Sequence, residues 1–257
     1  MRNEIFDCPI DVLTKAETVE IVREAMRIRK PITHVALNVA KLVNMRSDPI
    51  LDKDVKNSDL IGIDGMGIVL AARILGLDVK ERVAGIDLFE EVLGTCAKDG
   101  FRPFFLGATP EVVAKAVSAV RARHPTIEFA GFRDGYFKQD QETELVGQIR
   151  NSGADCLFIA MPTPQKERFL AAHRLDLGVS FVMGVGGSFD VIAGFVNRAP
   201  SWIQNSGFEW LYRLHQEPRR MWWRYVRTNT LFAGMMIGAI GERLSYRLHN
   251  RIARTKV

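Results

Sequence analysis

The chain has 257 residues, of which 47% are hydrophobic and 25% are charged, and this composition excludes a disordered protein. Its three cysteines (Cys8, Cys96 and Cys156) lack CxxC or CxxH spacing, so the sequence predicts free thiols and excludes a disulfide framework or a zinc site. The formal charge of +5 is unevenly distributed. From Val196 onward there are eleven Lys/Arg and three Glu, so this part carries +8 and the first 195 residues carry −3.

Neither a secretory signal nor a membrane span is expected. The first residues, MRNEIFDCPIDVLTKAE, are acidic where a signal peptide would need an apolar run. The most apolar stretch, residues 231–240, has about half of the roughly 20 residues that cross a bilayer. We therefore expect a cytoplasmic protein whose basic C-terminal part meets an anionic partner.

Short apolar runs alternate with helical patterns over the first 195 residues, which predicts an α/β fold with a doubly wound, Rossmann-like, mostly parallel sheet. The predicted strands are residues 34–37, 60–63, 103–106, 127–130, 156–160 and 180–185. Thr109 and Pro110 are typical of a helix cap and a first helical residue. A second helix is expected over residues 165–173. Because Trp and Arg become dense after about Gly194, we predict an α/β core, 1–195, and a helical, basic appendage, 196–257.

The first candidate for chemistry is Asp64, which follows the predicted strand 60–63. A carboxylate at the carboxyl end of a parallel strand lies where open α/β sheets bind ligands, and it could act as a general base. Gly65 and Gly67 would let a substrate approach the backbone. A simple Asp-Gly turn accounts for the same residues.

Glycines follow two other predicted strands. Gly107 begins a strand-to-helix junction whose amides could bind a phosphate, although ordinary capping is the favoured interpretation. Gly184, Gly186 and Gly187 suggest close backbone approach by a nucleotide or sugar. They do not form the GxGxxG fingerprint of a dinucleotide-binding fold, which counts against a dehydrogenase.

Asp52-Lys-Asp54 is formally a DxD metal-binding pattern. It lies in a polar segment that is typical of a helix face, so we interpret it as a solvated face and predict no metal site.

The appendage combines arginines with tryptophans and tyrosines. Arginines grip phosphates or reach from a membrane interface, and aromatic residues favour that interface. Residues 231–240 could then lie along the acyl surface. The other interpretation is a packing helix with core aromatics.

Six ordered segments resemble the WecG/TagA/CpsF family, glycosyltransferase family 26, over about residues 5 to 230. They are 60–67 (LIGIDGMG), 81–88 (ERVAGIDL), 105–107 (FLG), 162–167 (PTPQKE), 185–190 (VGGSFD) and the run that contains Arg198, Glu209-Trp-Leu-Tyr-Arg213, Glu217-Pro-Arg-Arg220 and Arg224-Tyr225.

This resemblance implies an inverting, metal-independent enzyme at the inner face of the plasma membrane, with no cofactor. It would move N-acetylmannosamine, glucose or a uronic acid from a UDP-sugar donor to a polyprenyl-diphosphate-linked saccharide during cell-surface polysaccharide synthesis. Asp64 matches the family's proposed base. The appendage would complete the active site, with three arginines that stabilise the UDP leaving group: Arg213, Arg220 and Arg224. The resemblance further implies these substrate-binding residues: Asn38, Gly65, Gly107, Gln165, Lys166, Gly186 and Gly187.

Two positions depart from the family pattern near the expected donor pocket. Ala36 replaces the threonine of Thr-x-Asn, and Lys166 stands at the usual glutamine position of Pro-Lys-Gln-Glu. The donor sugar therefore stays open, as does assembly into a homo-oligomer. No nucleic-acid partner is expected. The alternatives to a transferase are a nucleotide-binding oxidoreductase and a membrane adaptor that acts through its basic tail.

Overall fold

The computed structural model describes residues 2–255, without the side chains of Asn205, Arg220, Leu244 and residues 246–255. Its strands are β1 (Arg2–Ile5), β2 (Cys8–Asp11), β3 (Ile32–Leu37), β4 (Leu60–Ile63), β5 (Pro103–Gly107), β6 (Gly131–Arg133), β7 (Cys156–Ala160) and β8 (Phe181–Gly184). Its α-helices are α1 (Lys15–Arg27), α2 (Val39–Ser47), α3 (Pro49–Lys56), α4 (Met66–Ile74), α5 (Gly85–Asp99), α6 (Pro110–Arg123), α7 (Glu142–Asn151), α8 (Gln165–His173), α9 (Ser188–Ile192), α10 (Ser201–Ser206), α11 (Glu209–Gln216) and α12 (Pro218–Thr255).

Six strands form one parallel sheet in the order β4-β3-β8-β7-β5-β6, and β1 and β2 form a separate antiparallel hairpin. This confirms the predicted α/β, Rossmann-like fold. The consecutive strands β4 and β5 lie in opposite halves of the sheet. Such a reversal of strand order opens a crevice at the carboxyl ends of the strands, where ligands bind in folds of this kind.

Apolar side chains cover both faces of the sheet. On one face, α1, α5, α6 and α9 enclose a cluster in which four phenylalanine rings contact one another, from Phe89, Phe105, Phe158 and Phe189. On the other face, the β1–β2 hairpin, α2 and α4 pack over β3 and β4. Helices α7 and α8 pack over the remaining strands. Because both faces of the sheet are buried, the sequences of its strands are continuous runs of apolar residues.

The predicted strands 60–63 and 156–160 are confirmed, as is the helix 165–173. The predicted strand 127–130 is wrong, because the sixth strand of the chain, β6, begins at Gly131. Ile127 is nevertheless buried in the phenylalanine cluster, so its apolar run reflects packing and not strand pairing. Thr109 caps α6 through a hydrogen bond from the Val112 amide to its hydroxyl, as expected.

From Ser201 onward the described chain is helical. Phe232, Met235 and Met236 of α12 pack against the cluster beneath α2, and the Phe232 ring makes an edge contact with Phe6. Leu231 and Ile237 of the same stretch are exposed, so only one side of residues 231–240 faces the protein. The expectation that this stretch lies along an acyl surface stays a prediction. Within residues 2–255, none of the helices combines the length and apolar content that a membrane crossing requires.

Candidate active site

Two predicted site residues, Asn38 and Asp64, directly follow the neighbouring strands β3 and β4. Leu37 pairs with Ile63 in the parallel register, and the Asp64 amide donates to the Leu37 carbonyl at 3.0 Å. Asn38 caps α2, since its Oδ1 accepts from the Lys41 amide. The two strand ends are close enough that a Cβ on Gly65 would lie 3.3 Å from the Cβ of Asn38. Gly65 therefore allows this approach.

The Asp64 carboxylate is held by one oxygen and open at the other. Its Oδ1 accepts from the Gly85 amide at the start of α5, at 2.8 Å. Its Oδ2 accepts no hydrogen bond from the described residues, and the side chain is half-buried. Ala36 lies beside it, with its Cβ 3.6 Å from the position a Cβ on Gly85 would take. A fixed carboxylate with one free oxygen is suited to accept a proton from a bound hydroxyl.

The glycine that ends β5 and the glycines that follow β8 differ in their surroundings. Gly107 has φ +118°, and a Cβ there would lie 2.5 Å from the carbonyl oxygen of Ala160. The Ala108 amide already donates to that same oxygen, and Thr109 caps the next helix, so capping accounts for this junction. By contrast, a Cβ on Gly186 would meet nothing within 4 Å. Gly186 thus borders open space at the carboxyl end of the sheet, and Gly187 directly precedes α9.

Gln165 and Lys166 begin α8 at the end of β7 and point in different directions. The Gln165 side chain is exposed, whereas the Lys166 side chain is buried. The Lys166 ammonium donates to the Thr163 hydroxyl at 2.5 Å and lies 3.1 Å from Glu167 Oε1. Gly184 makes room for it, since a Cβ there would lie 2.8 Å from Lys166 Cε.

A second ammonium, that of Lys41, lies 2.9 Å from the same Glu167 oxygen, so two buried cations share one carboxylate. Burial lowers the pKa of Lys166 to about 8, and repulsion from Lys41 acts in the same direction. Burial alone would raise the pKa of Glu167, but Lys41 and Lys166 outweigh it and hold that pKa below its usual value. This cluster places an excess positive charge below the carboxyl ends of β3, β7 and β8.

The appendage lies against the Asp64 loop. A Cβ on Gly207, between α10 and α11, would lie 2.8 Å from Cγ of Met66, two residues after Asp64. Glu209 of α11 bonds the core residue Arg82 at 3.0 Å, and its other oxygen lies 3.8 Å from Arg213. Of the three arginines that were predicted to stabilise the leaving group, Arg213 lies in this contact.

Arg224 is placed differently from Arg213. Its guanidinium lies over the Tyr225 ring, 5.1 Å from the centroid, and both residues belong to α12. Tyr225 in turn makes an edge contact with Trp210 of α11, which ties the two helices together. The side chain of Arg220 lies outside the described residues.

Asp52 and Asp54 lie on α3, as the sequence indicated, and not in a strand-end loop. Asp52 pairs with Lys56 one turn away, at 2.8 Å. Asp54 lines a cavity of about 370 Å³ between α3 and α8, and burial raises its pKa. In the part of the chain that the structure describes, no three His, Cys, Asp or Glu side chains converge as metal ligands.

Sequence reasoning missed Arg82 and Lys41. Arg82 stands in the quoted segment 81–88, but its partner Glu209 is 127 residues away, and no local pattern relates the two. Lys41 resembles any polar residue of a first helical turn. Its partner Glu167 lies on α8, more than 120 residues away in the chain, so its burial follows only from the tertiary structure.

Comparison with known proteins identifies the family. The family model described as "Glycosyl transferase WecG/TagA/CpsF family" matches residues 3–246. The chain belongs to the WecG/TagA/CpsF glycosyltransferase family. It is 37% identical over 182 residues to the N-acetylglucosaminyldiphosphoundecaprenol N-acetyl-beta-D-mannosaminyltransferase of Bacillus subtilis (strain 168), and the match covers 69% of each chain.

Membership in this family makes the chain a glycosyltransferase, as its ordered motifs implied. Neither the oxidoreductase nor the membrane adaptor accounts for a family match over nearly the whole chain. The fold that carries the strand-end residues Asn38 and Asp64 and the open space beside Gly186 is therefore that of a glycosyltransferase.

Proposed function

We propose that this glycosyltransferase moves a sugar from a UDP-sugar to a polyprenyl-diphosphate-linked saccharide, with inversion at the anomeric carbon. The observation that carries the proposal is the Asp64 carboxylate at the carboxyl end of β4, fixed by the Gly85 amide and bordered by the appendage turn at Gly207. The name of the Bacillus subtilis relative supports the acceptor class, because that enzyme is named for a diphosphoundecaprenol substrate.

In the proposed reaction, Asp64 takes the proton of an acceptor hydroxyl while the hydroxyl oxygen forms a bond to the anomeric carbon of the donor. The bond from that carbon to the β-phosphate oxygen breaks, and its electron pair leaves with UDP. Positive charge is needed where the diphosphate departs. Arg213, Arg220 and Arg224 supply it in this proposal.

The donor sugar is the open part of this proposal. N-acetylmannosamine has the support of the relative's name, and glucose and a uronic acid remain alternatives. Ala36 and Lys166 bear on the choice. Ala36 leaves space beside Asp64 where a threonine would add a hydroxyl, and Lys166 brings a cation near the end of β8.

Association with the inner face of a membrane is proposed from the surface of the appendage. Five large aromatic side chains are exposed among its described residues: Trp202, Phe208, Trp210, Trp222 and Trp223. They lie in the part of the chain whose sequence carries a net charge of +8 from Val196 onward. Aromatic and cationic side chains together favour an anionic membrane–water interface.

A transfer assay tests the proposed function. The enzyme is incubated with UDP-N-acetylmannosamine, UDP-glucose or UDP-glucuronate and a short-chain lipid-diphosphate saccharide, with and without EDTA. We expect one donor to be consumed with release of UDP and formation of a glycosylated lipid, and we expect the rate to survive EDTA.

Asp52→Asn is the matched control for a metal site and should behave like the wild type, since Asp52 is paired with Lys56 on a helix face. Loss of activity in EDTA, together with loss in Asp52→Asn, would restore the DxD segment as a metal site. Failure to consume any of the UDP-sugars would refute the donor class.

A further inference from the structure

The segment from Arg82 to Asp87 connects the candidate base to the appendage. On its inner side, the Val83 amide donates to the Ile63 carbonyl at 3.1 Å, which anchors the segment to the end of β4. Two residues later the Gly85 amide donates to Asp64 Oδ1 at 2.8 Å. The orientation of the Asp64 carboxylate therefore depends on the position of this segment.

On its outer side the same segment holds the appendage by two ion pairs. Arg82 Nη1 lies 3.0 Å from Glu209 Oε2, and the two side chains are only 13% and 17% exposed. Asp87 Oδ1 lies 2.5 Å from Arg198 Nη1. This second pair is more exposed, at 34% for Asp87 and 24% for Arg198. The Arg82–Glu209 pair is therefore the one that solvent screens less, and it constrains its partners more strongly.

Arg198 depends on Asp87 for its position. Its Nε and Nη2 are buried and have no hydrogen-bond partner among the described residues. Without Asp87 the guanidinium would be buried and unpaired, which is strongly unfavourable, so the appendage would be expected to move away and expose it. The contact of Gly207 with Met66 would loosen with it.

We propose that the Arg82–Glu209 and Asp87–Arg198 ion pairs are positioning contacts through which the docked appendage holds Asp64 in its catalytic orientation. The appendage then acts on the acceptor side of the reaction through the base, in addition to the charge that its arginines bring to the leaving group. This inference rests on the proposed function for the role of Asp64. The geometry that it invokes can be tested without that role.

Charge reversal at Asp87 and Arg198 tests the coupling. Asp87→Arg and Arg198→Asp each place like charges together, and the double variant restores an ion pair with the charges exchanged. We expect each single variant to lower kcat about tenfold, with KM for the UDP-sugar changed less than about twofold, because a small misplacement of the base slows the chemical step. The double variant should recover to within about threefold of the wild type.

Asp176→Arg is the matched control, since it breaks an exposed ion pair between the turn after α8 and Arg150 of α7 and should leave kcat unchanged. The melting temperature and vesicle binding are measured for every variant, so that unfolding and loss of membrane contact are recognised. Wild-type kcat in both single variants would overturn the proposal, as would a double variant no more active than either single one.

Hydrogen exchange at the Gly85 amide gives a readout that needs no substrate. Because this amide donates to Asp64, its exchange should be faster in the single variants and return towards the wild-type rate in the double variant. Unchanged exchange in the single variants would overturn the coupling even in an active enzyme. Restored exchange in the double variant of a protein that consumes no UDP-sugar would support the coupling while the proposed donor class failed.

Discussion

Gly107 ends strand β5 and Gly186 lies two residues after β8 in the same sheet, and both have positive φ, at +118° and +53°. They differ in what surrounds them. A side chain at Gly107 would overlap the backbone of Ala160, whereas the space beside Gly186 is empty. The fold thus requires a glycine at position 107. Gly186 leaves room at the carboxyl end of the sheet, where the donor is proposed to bind.

Alanine substitutions separate these two roles. We expect Gly107→Ala to destabilise the protein by more than about 3 kcal/mol, since φ is unfavourable and a backbone oxygen blocks the methyl group. Gly186→Ala should cost only about 1 kcal/mol, the penalty of a left-handed alanine, and raise KM for the UDP-sugar about tenfold. Chemical denaturation and steady-state kinetics measure both effects. An unchanged KM in Gly186→Ala would show that the donor does not reach this edge.

His34 on β3 is a buried histidine whose ring nitrogens have no hydrogen-bond partner among the described residues. Burial lowers its pKa from 6.5 to about 4, and the Lys41 charge acts in the same direction. Below pH 6.5 the unfolded chain therefore binds a proton that the folded chain does not. The stability that neutral His34 permits is present above pH 6.5 and is lost as the pH falls through this range towards 4.

We expect this residue to lower the free energy of unfolding by about 3 kcal/mol between pH 6.5 and 4, because each unit of pKa difference corresponds to about 1.4 kcal/mol. His34→Leu keeps a side chain of similar volume and removes the titration. Urea unfolding across this pH range should show a shallower loss of stability in the variant. Parallel profiles for the two proteins would contradict the assignment.

The strands that could be predicted from the sequence are those that are buried on both faces, because their residues form a continuous apolar run. Strands β4 and β7 are examples. The β1–β2 hairpin was not predicted because Phe6 and Asp7 form its two-residue turn with positive φ, which usually calls for Asn or Gly. The edge strand β6 was misplaced since Ile127 is buried without pairing, while the strand that follows exposes Phe132.

The candidate site was predictable only in part for the same reason. Asn38, Asp64 and Gly186 follow strands, and parallel strands bring their carboxyl ends to one edge, so the sequence order already gathers them. The contacts of Arg82 with Glu209 and of Lys41 with Glu167 join distant segments. These depend on how the helices pack on the sheet, which no short-range pattern contains.

Helix α12 has one side that packs on the core and a first part that exposes aromatic side chains. Its Phe232 side packs on the core, and its first turns expose Trp222 and Trp223, with 60% and 72% of each residue accessible. Leu231 and Ile237 of the stretch 231–240 are exposed as well, so the expected membrane contact extends from the start of the helix to this stretch.

We expect Trp222→Ala combined with Trp223→Ala to weaken binding to vesicles of anionic phospholipid about tenfold or more, because both indole rings would lose an interfacial site. Tyr136→Ala removes an equally exposed aromatic residue from the core and is the control, with no expected change. Cosedimentation measures the binding. Equal binding by the tryptophan variant and the wild type would place the membrane contact elsewhere.

The α/β core and the helical appendage carry net charges of opposite sign. The α/β core has a net charge of −3 over its first 195 residues, and the part that follows has +8. Glu209, one of the three acidic residues in that basic part, pairs with Arg82 of the core. The basic appendage is therefore fixed to an acidic core beside Asp64, where the proposed reaction joins an anionic donor to a lipid-linked acceptor.

The measurement that tests this account most directly compares Asp64→Asn with the wild type for UDP binding, by calorimetry, and for sugar transfer to the lipid-diphosphate acceptor, by product analysis. The asparagine Oδ1 can still accept the Gly85 hydrogen bond, so the fold and the UDP affinity should be retained. We predict that kcat falls by about three orders of magnitude, because the acceptor hydroxyl loses its base. Transfer by Asp64→Asn at the wild-type rate would contradict the account.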